Sequence, residues 1–137
     1  MKLLIVVYHR FGLWNAPPWF AERLRKDFPR IEIVPLTSYE GVEEQLRDSE
    51  SVFTISLRPE QFAMANKLRW IHAPAAAVRQ LLIPEVVNSH VVVTNAREVH
   101  GPVVAEHVIA LVFTLAKKIP QAIRLRQRRV WGLGDKS

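Results

Sequence analysis

The chain has 137 residues, 49% of them hydrophobic and 23% charged, which is the length of about one domain with enough apolar material for a core, and this argues against disorder. It contains no cysteine, which excludes disulfides, thiolate metal sites and a cysteine nucleophile. The formal net charge of +6 keeps nucleic acid in view as a partner until the charges are located.

Lys2–Tyr8 (KLLIVVY) is an apolar, partly β-branched run suited to a strand buried on both faces. Polar residues interrupt it before it reaches the length of a signal-peptide core. A helix should follow, capped by Asn15 and entered through Pro17 and Pro18. Phe20, Leu24 and Phe28 recur along one of its faces until Pro29 stops it. Ile31–Leu36 reads as a second strand, Gly41–Asp48 as a helix, Val52–Leu57 as a third strand and Arg58–Leu68 as a helix with a proline at its start. Trp70–Ala73 is the fourth strand, Ala76–Leu82 a short helix and Val91–Asn95 the fifth strand. A long helix is expected from about Val103, bent where Pro120 removes an amide and crowds the preceding turn. The longest apolar run, Val108 to Ala116 with Thr114 interrupting, is well short of the roughly 18 residues of a membrane span.

Strands alternating with helices call for right-handed crossovers and a parallel sheet covered on both sides. The expected fold class is α/β: a flavodoxin-like, doubly wound, parallel five-stranded sheet of order 2-1-3-4-5 with a long C-terminal helix, forming one domain over residues 1–137. Ligands of such sheets collect at the carboxyl ends of the strands, so the loops after Tyr8, Leu57, Ala73 and Asn95 are the candidate site.

The charge is concentrated late. RLRQRR, Arg124 to Arg129, carries four of the 19 Lys and Arg residues, with Lys117 and Lys118 just upstream. A solvated helix end explains this better than nucleic acid, since no aromatic residues interleave to stack bases. The loop APAAAVRQ (Ala73 to Gln80) has only small side chains near its turn, so its amides could hold a carboxylate or phosphate; tight strand–helix packing explains the same small residues. Glu106 and His107 occupy the first turns of the long helix, where Glu106 gains from the helix dipole and His107 can bond a backbone carbonyl. With His100 they do not make an HExxH metal motif. Ser51, Ser56 and Ser89 have no nucleophile-elbow context. Gly132-Leu133-Gly134 is half a dinucleotide fingerprint, follows a helix rather than a strand, and is discounted.

From Leu68 to Pro120 the chain reads LRWIHAPAAAVRQLLIPEVVNSHVVVTNAREVHGPVVAEHVIALVFTLAKKIP, followed by an Arg-rich stretch ending in Trp131. A strand, a small-residue loop, "VTN", a variable turn and "VAEH" opening a long helix resemble the amino-terminal part of the D-isomer-specific 2-hydroxyacid dehydrogenases, and the preceding alternation extends the resemblance over nearly the whole chain. Enzymes of that family pair a flavodoxin-like substrate domain with an inserted Rossmann domain that binds NAD or NADP. The resemblance implies that Ala77 and Val78 match the Gly-Val pair whose amides hold the 2-oxo acid carboxylate. Ala76 matches the position beside the cofactor, and Val104 and Glu106 match the start of the helix facing the interdomain cleft. His107 would help fix the first turn. Ala77 stands where the family has Gly, so a positive φ there would be strained. Arg79 and Gln80 replace the usual acidic or amide positions.

The family's catalytic Arg, Glu and His and its full dinucleotide fingerprint belong to the part beyond Pro120 and Trp131, whereas this sequence ends at Ser137. The expectation is therefore a cytoplasmic, substrate-binding half of an NAD(P)-dependent 2-oxo acid reductase with no catalytic residue, no metal and no cofactor held by this chain alone. Apolar surface on the long helix would make it a homodimer. A stand-alone flavodoxin-like interaction domain without catalysis is the alternative, and weak polyanion binding through Arg124 to Arg129 a third possibility.

Overall fold

Leu4 and Val6 are buried in one apolar cluster and Ile5 in another, because successive side chains of a strand point to opposite faces. That strand is β1 (Lys2–Val6), an interior strand of a parallel sheet in the computed structural model, which describes residues 1–131. The Gly132-Leu133-Gly134 segment lies outside the described residues. Around β1 run β2 (Glu32–Pro35), β3 (Ser51–Thr54), β4 (Trp70–Ala73) and β5 (Val92–Asn95), in the order β2-β1-β3-β4-β5 and parallel throughout. The α/β class and the strand order are those expected from the sequence.

Helices α1 (Pro18–Asp27), α2 (Val42–Leu46), α3 (Pro59–Met64) and α4 (Pro84–Val87) connect the strands. Ala21 of α1 packs with Ile5 and Ile33 on one face of the sheet. Val42 and Leu46 of α2 and Val86 of α4 pack with Val52, Ile71 and Ala73 on the other. The larger cluster contains the fully buried Leu4, Leu46, Ile71 and Leu81. Lys2, although largely buried, has its ammonium within 2.6 Å of Asp48 and 2.8 Å of Gln45 Oε1. The hydrogen bond from Lys2, first, and its charge hold the Asp48 carboxyl below its ordinary pKa.

Three expectations are corrected. Asn15 does not cap α1. Its side-chain oxygen accepts from the His9 amide and its own amide donates to Gly12, closing a 3-10 turn (Gly12–Trp14), so Pro17 becomes the N-cap. Ala76–Leu82 is not a helix. Pro84 forces Ile83 into an extended conformation (φ −71, ψ 153) and serves as the first residue of α4 instead. What remains before it is one turn, with the amides of Leu81 and Leu82 both reaching Val78 O.

The third correction concerns the long helix, which is broken rather than bent. It forms α5 (Gly101–Ala116) and α6 (Ile119–Gln127), separated by Lys118 in the left-handed region (φ 51, ψ 35). Pro120 sits in the first turn of α6, where a missing amide costs nothing, instead of inside a continuous helix where its ring would strike the preceding turn. By their contacts the described residues divide into two units, Met1–Arg97 with the sheet and Glu98 onward with α5 and α6. In the second unit α5 and α6 touch each other, and no residue of α5 is buried although most of them are apolar.

Candidate functional site

β4 delivers the chain to the carboxyl end of the sheet at Ala73, and the following loop, Pro74 to Gln80, turns there without helix or strand. Ala76 and Ala77 are exposed and Val78 is half-buried against the larger core cluster. Among the described residues no backbone hydrogen bond is donated by the amides of Ala76, Ala77 or Val78. Three successive unengaged amides beside methyl side chains leave room for an anionic oxygen to approach the backbone. Ala77 does not have a positive φ, so the methyl group in place of a glycine hydrogen brings no strain.

The loop is tied down from β5. Asn95 Nδ2 donates to Ala76 O at 2.7 Å, and the Ala96 amide donates to Ala73 O. One residue earlier on the same strand pair, Thr94 Oγ1 accepts from Trp70 Nε1 at 2.8 Å and lies 2.8 Å from His72 Nδ1. The His72 ring stacks on Phe53, 5.5 Å between centroids and 22° between planes. Asn95 closes the VTN motif, but no motif singles out His72 or gives Asn95 its partner, because what gathers them is cross-strand register: His72 pairs with Thr94 and Ala73 with Asn95.

A cavity of about 290 Å³ opens where the strand order reverses, between the carboxyl ends of β1 and β3. Its floor is Val6, Val42, Leu46 and Val52, and its rim carries Tyr39, Ser56, Arg58 and Gln61. Glu43 draws the rim together, accepting from Arg58 Nη2 and from Gln61 Nε2, both at 3.0 Å. The Gln61 hydrogen bond is the first cause, and the Arg58 guanidinium a further one, of a Glu43 carboxyl held below its ordinary pKa. Of the four loops expected to form the site, the segment after β3 (Ser56, Leu57) lines this cavity, and the loops after β4 and β5 are joined to each other by the Asn95 and Ala96 bonds.

Of the residues expected from the resemblance, Ala76, Ala77 and Val78 lie together on the loop of the first unit, while Val104 and Glu106 lie on the first turns of α5 in the second, both exposed. His107 is also exposed and its side chain makes no hydrogen bond among the described residues, so the bond to a backbone carbonyl expected for it is not seen. His100 is the N-cap of α5 without a side-chain cap bond. Among the described residues no cluster of His, Asp and Glu could hold a metal ion, and no helix is long and apolar enough to cross a membrane.

No family model matches the chain, and no curated relative matches its sequence. Solved structures do. A D-isomer-specific 2-hydroxyacid dehydrogenase family protein from Aeromonas salmonicida superposes on 99% of this chain with a TM-score of 0.77 and 22% identity. A D-lactate dehydrogenase from Treponema pallidum superposes on 98% with a TM-score of 0.77 and 14% identity. A D-lactate dehydrogenase with NAD+ from Lactobacillus jensenii gives 98%, 0.73 and 16%. The chain spans about two-fifths of each of these proteins, 42%, 41% and 42% respectively. The likeness establishes the fold: a single five-stranded parallel sheet with flanking helices, as in one domain of the D-2-hydroxyacid dehydrogenases.

Proposed function

We propose that this chain is the substrate-binding half of an NAD(P)-dependent D-2-hydroxyacid dehydrogenase, a 2-oxo acid reductase, and that it is inactive by itself. The observation that carries the reading is the run of unengaged amides at Ala76, Ala77 and Val78 at the carboxyl end of β4, on a fold shared with those enzymes. In this reading the amides of Ala77 and Val78 hold the substrate carboxylate, and the methyl groups of Ala76 and Ala77 keep the approach open. Val104 and Glu106 belong to the helix that would face a nucleotide domain.

The described residues do not fit a dinucleotide by themselves. Gly12, Gly41 and Gly101 stand singly, and a Cβ added to any of them would meet nothing within 4 Å, so no glycine here serves a close approach of backbone to pyrophosphate. The nicotinamide would be held by a nucleotide domain in a longer protein, and no hydride step is assigned to residues of this chain. The cytoplasm is the proposed compartment, and a homodimer is part of the proposal, supported by the exposure of Val104, Val108, Leu111 and Leu115 on α5.

Amide NMR of the chain titrated with glyoxylate, pyruvate and hydroxypyruvate tests the substrate reading. Shifts confined to Ala76–Arg79, saturating in the millimolar range, are expected, and the same acids with NADH should give no turnover. Shifts elsewhere only, or none at about 50 mM, would refute it. The second reading, a stand-alone interaction domain, is favoured by the apolar exposure of α5. It predicts self-association with no response to any 2-oxo acid.

A further inference from the structure

The two edges of the sheet are built differently. On β2 the amides of Glu32 and Leu36 donate to Met1 and Ile5, so the intervening Ile33 and Pro35 turn their backbone groups outward. Both are blunted: Arg25 Nη2 donates to Ile33 O at 2.9 Å, and Pro35 has no amide hydrogen. On β5 the amides of Val92 and Ala96 donate inward to Arg69 and Ala73, so Val91, Val93 and Asn95 face outward. The Val91 amide is taken by Ser89 Oγ. Among the described residues no hydrogen bond engages the amides of Val93 or Asn95. Val91 to Asn95 has no charge and no proline, and four of its five residues are β-branched.

We infer that the outer edge of β5 is a self-pairing surface, at which two copies of the chain join β5 to β5 antiparallel about a two-fold axis through Val93. The axis brings each open amide opposite a carbonyl of the other copy. Val93 exchanges both backbone bonds with its copy, and the Asn95 amide of each chain donates to Val91 O of the other, about four bonds in all. Val92 falls opposite Thr94, a pair of β-branched side chains, and Val91 opposite Asn95. The nearest charge, Arg97, falls opposite Ser89 rather than opposite its copy, so no like charges are set face to face. A foreign strand could supply the same bonds, but this pairing needs only the chain itself. Alignment of so short a strand buries well under the ~1,000 Å² of a stable interface, so the dimer should be weak, with a Kd on the order of 100 µM.

The inference rests on the self-association in the proposed function and is independent of its substrate assignment. Sedimentation equilibrium from about 10 µM to 1 mM, with amide hydrogen exchange at Val93 over the same range, tests it. The variants are V93P, which removes the outward amide, V92K, which places lysines diagonally across the two-fold axis at a site 58% exposed and so able to fold, and L111E/L115E on α5. The expected result is a dimer whose Val93 amide gains protection with concentration, weakened about tenfold or more by V93P and by V92K. A wild-type monomer up to 1 mM would overturn the edge pairing, as would Val93 exchange that ignores concentration. Association lost only in L111E/L115E would keep the helix as the dimer contact and remove the edge.

Discussion

Replacing Asn95 by alanine tests how the candidate loop is held. Asn95 Nδ2 donates to Ala76 O at 2.7 Å, and the other tie from β5 is the backbone bond from Ala96 to Ala73 O. A neutral hydrogen bond contributes roughly 0.5–1.5 kcal/mol net, and at this exposed position water can replace the donor, so about 0.5–1 kcal/mol is expected. For a chain of this length that lowers Tm by about 2–4 °C. The loop should suffer more than the fold, because the bond fixes the peptide next to the Ala77 and Val78 amides. A loss of about 0.5–1 kcal/mol at that point is a two- to fivefold weaker grip on pyruvate. Asn95→Asp should do worse above the ordinary carboxylate pKa, since it sets an acceptor against the Ala76 carbonyl, and should recover as the pH falls. Thermal unfolding and amide NMR titration of both variants measure these effects. A fall in Tm beyond about 8 °C, or pyruvate binding left unchanged in N95A, would refute the account.

Three further outcomes are expected. Ile71→Ala removes a side chain fully buried in β4 and should cost about 2–5 kcal/mol in urea unfolding; a cost under 1 kcal/mol would mean the strand is not central to the core. Glu43 is held below its ordinary pKa by Gln61 and then Arg58, so its contribution to stability is present above the unfolded carboxyl pKa and is lost as the pH falls through the lowered one. Glu43→Gln should therefore flatten the acid limb of the stability curve below about pH 4.5, and an unchanged acid limb would remove the Glu43 cluster as its cause. Lys118→Gly places the residue suited to the left-handed region at φ 51 between α5 and α6, and should raise the melting temperature of the helical signal by relieving about 1 kcal/mol; a lower melting temperature would argue that Lys118 is not the hinge.

The sheet was legible because its signals are periodic and local. Leu3 to Val7 is apolar at every position and rich in β-branched residues, which suits a strand covered on both faces, and the structure divides it as expected, with Leu4 and Val6 to one side and Ile5 to the other. The errors share one cause. Asn15, Ala76–Leu82 and Lys118 are places where a plausible local preference lost to a neighbour: His9 claimed the Asn15 oxygen, Pro84 dictated the conformation of Ile83, and Pro120 took a helix start in place of a helix interior. In each case the winning group lies within a few residues, but its effect runs through hydrogen-bond competition or ring sterics, which a pattern of apolar spacing does not encode.

The candidate site was only half legible, for a different reason. Small residues after β4 announce space, and the family resemblance says which amides would use it, but neither says what holds the loop in place. That depends on the β4–β5 register, which puts Ala73 beside Asn95 and so lets a residue distant in sequence reach Ala76 O. The same register, with its alternation of inward and outward amides, leaves Val93 and Asn95 open on the edge while the Thr94 backbone turns inward to β4, and on the face of the sheet Thr94 Oγ1 serves the side chains of Trp70 and His72. The segment VTN thus has two separable duties: its side chains organise the carboxyl end of the sheet, and its backbone presents an unprotected edge. A side-chain change at Asn95 should therefore affect ligand binding while leaving the outward amide at that position able to pair. A backbone change at Val93 should affect association while leaving the Ala76 tether intact. If the two properties fell together in both variants, the edge and the loop would be one structural unit, and the separation argued from register would not hold.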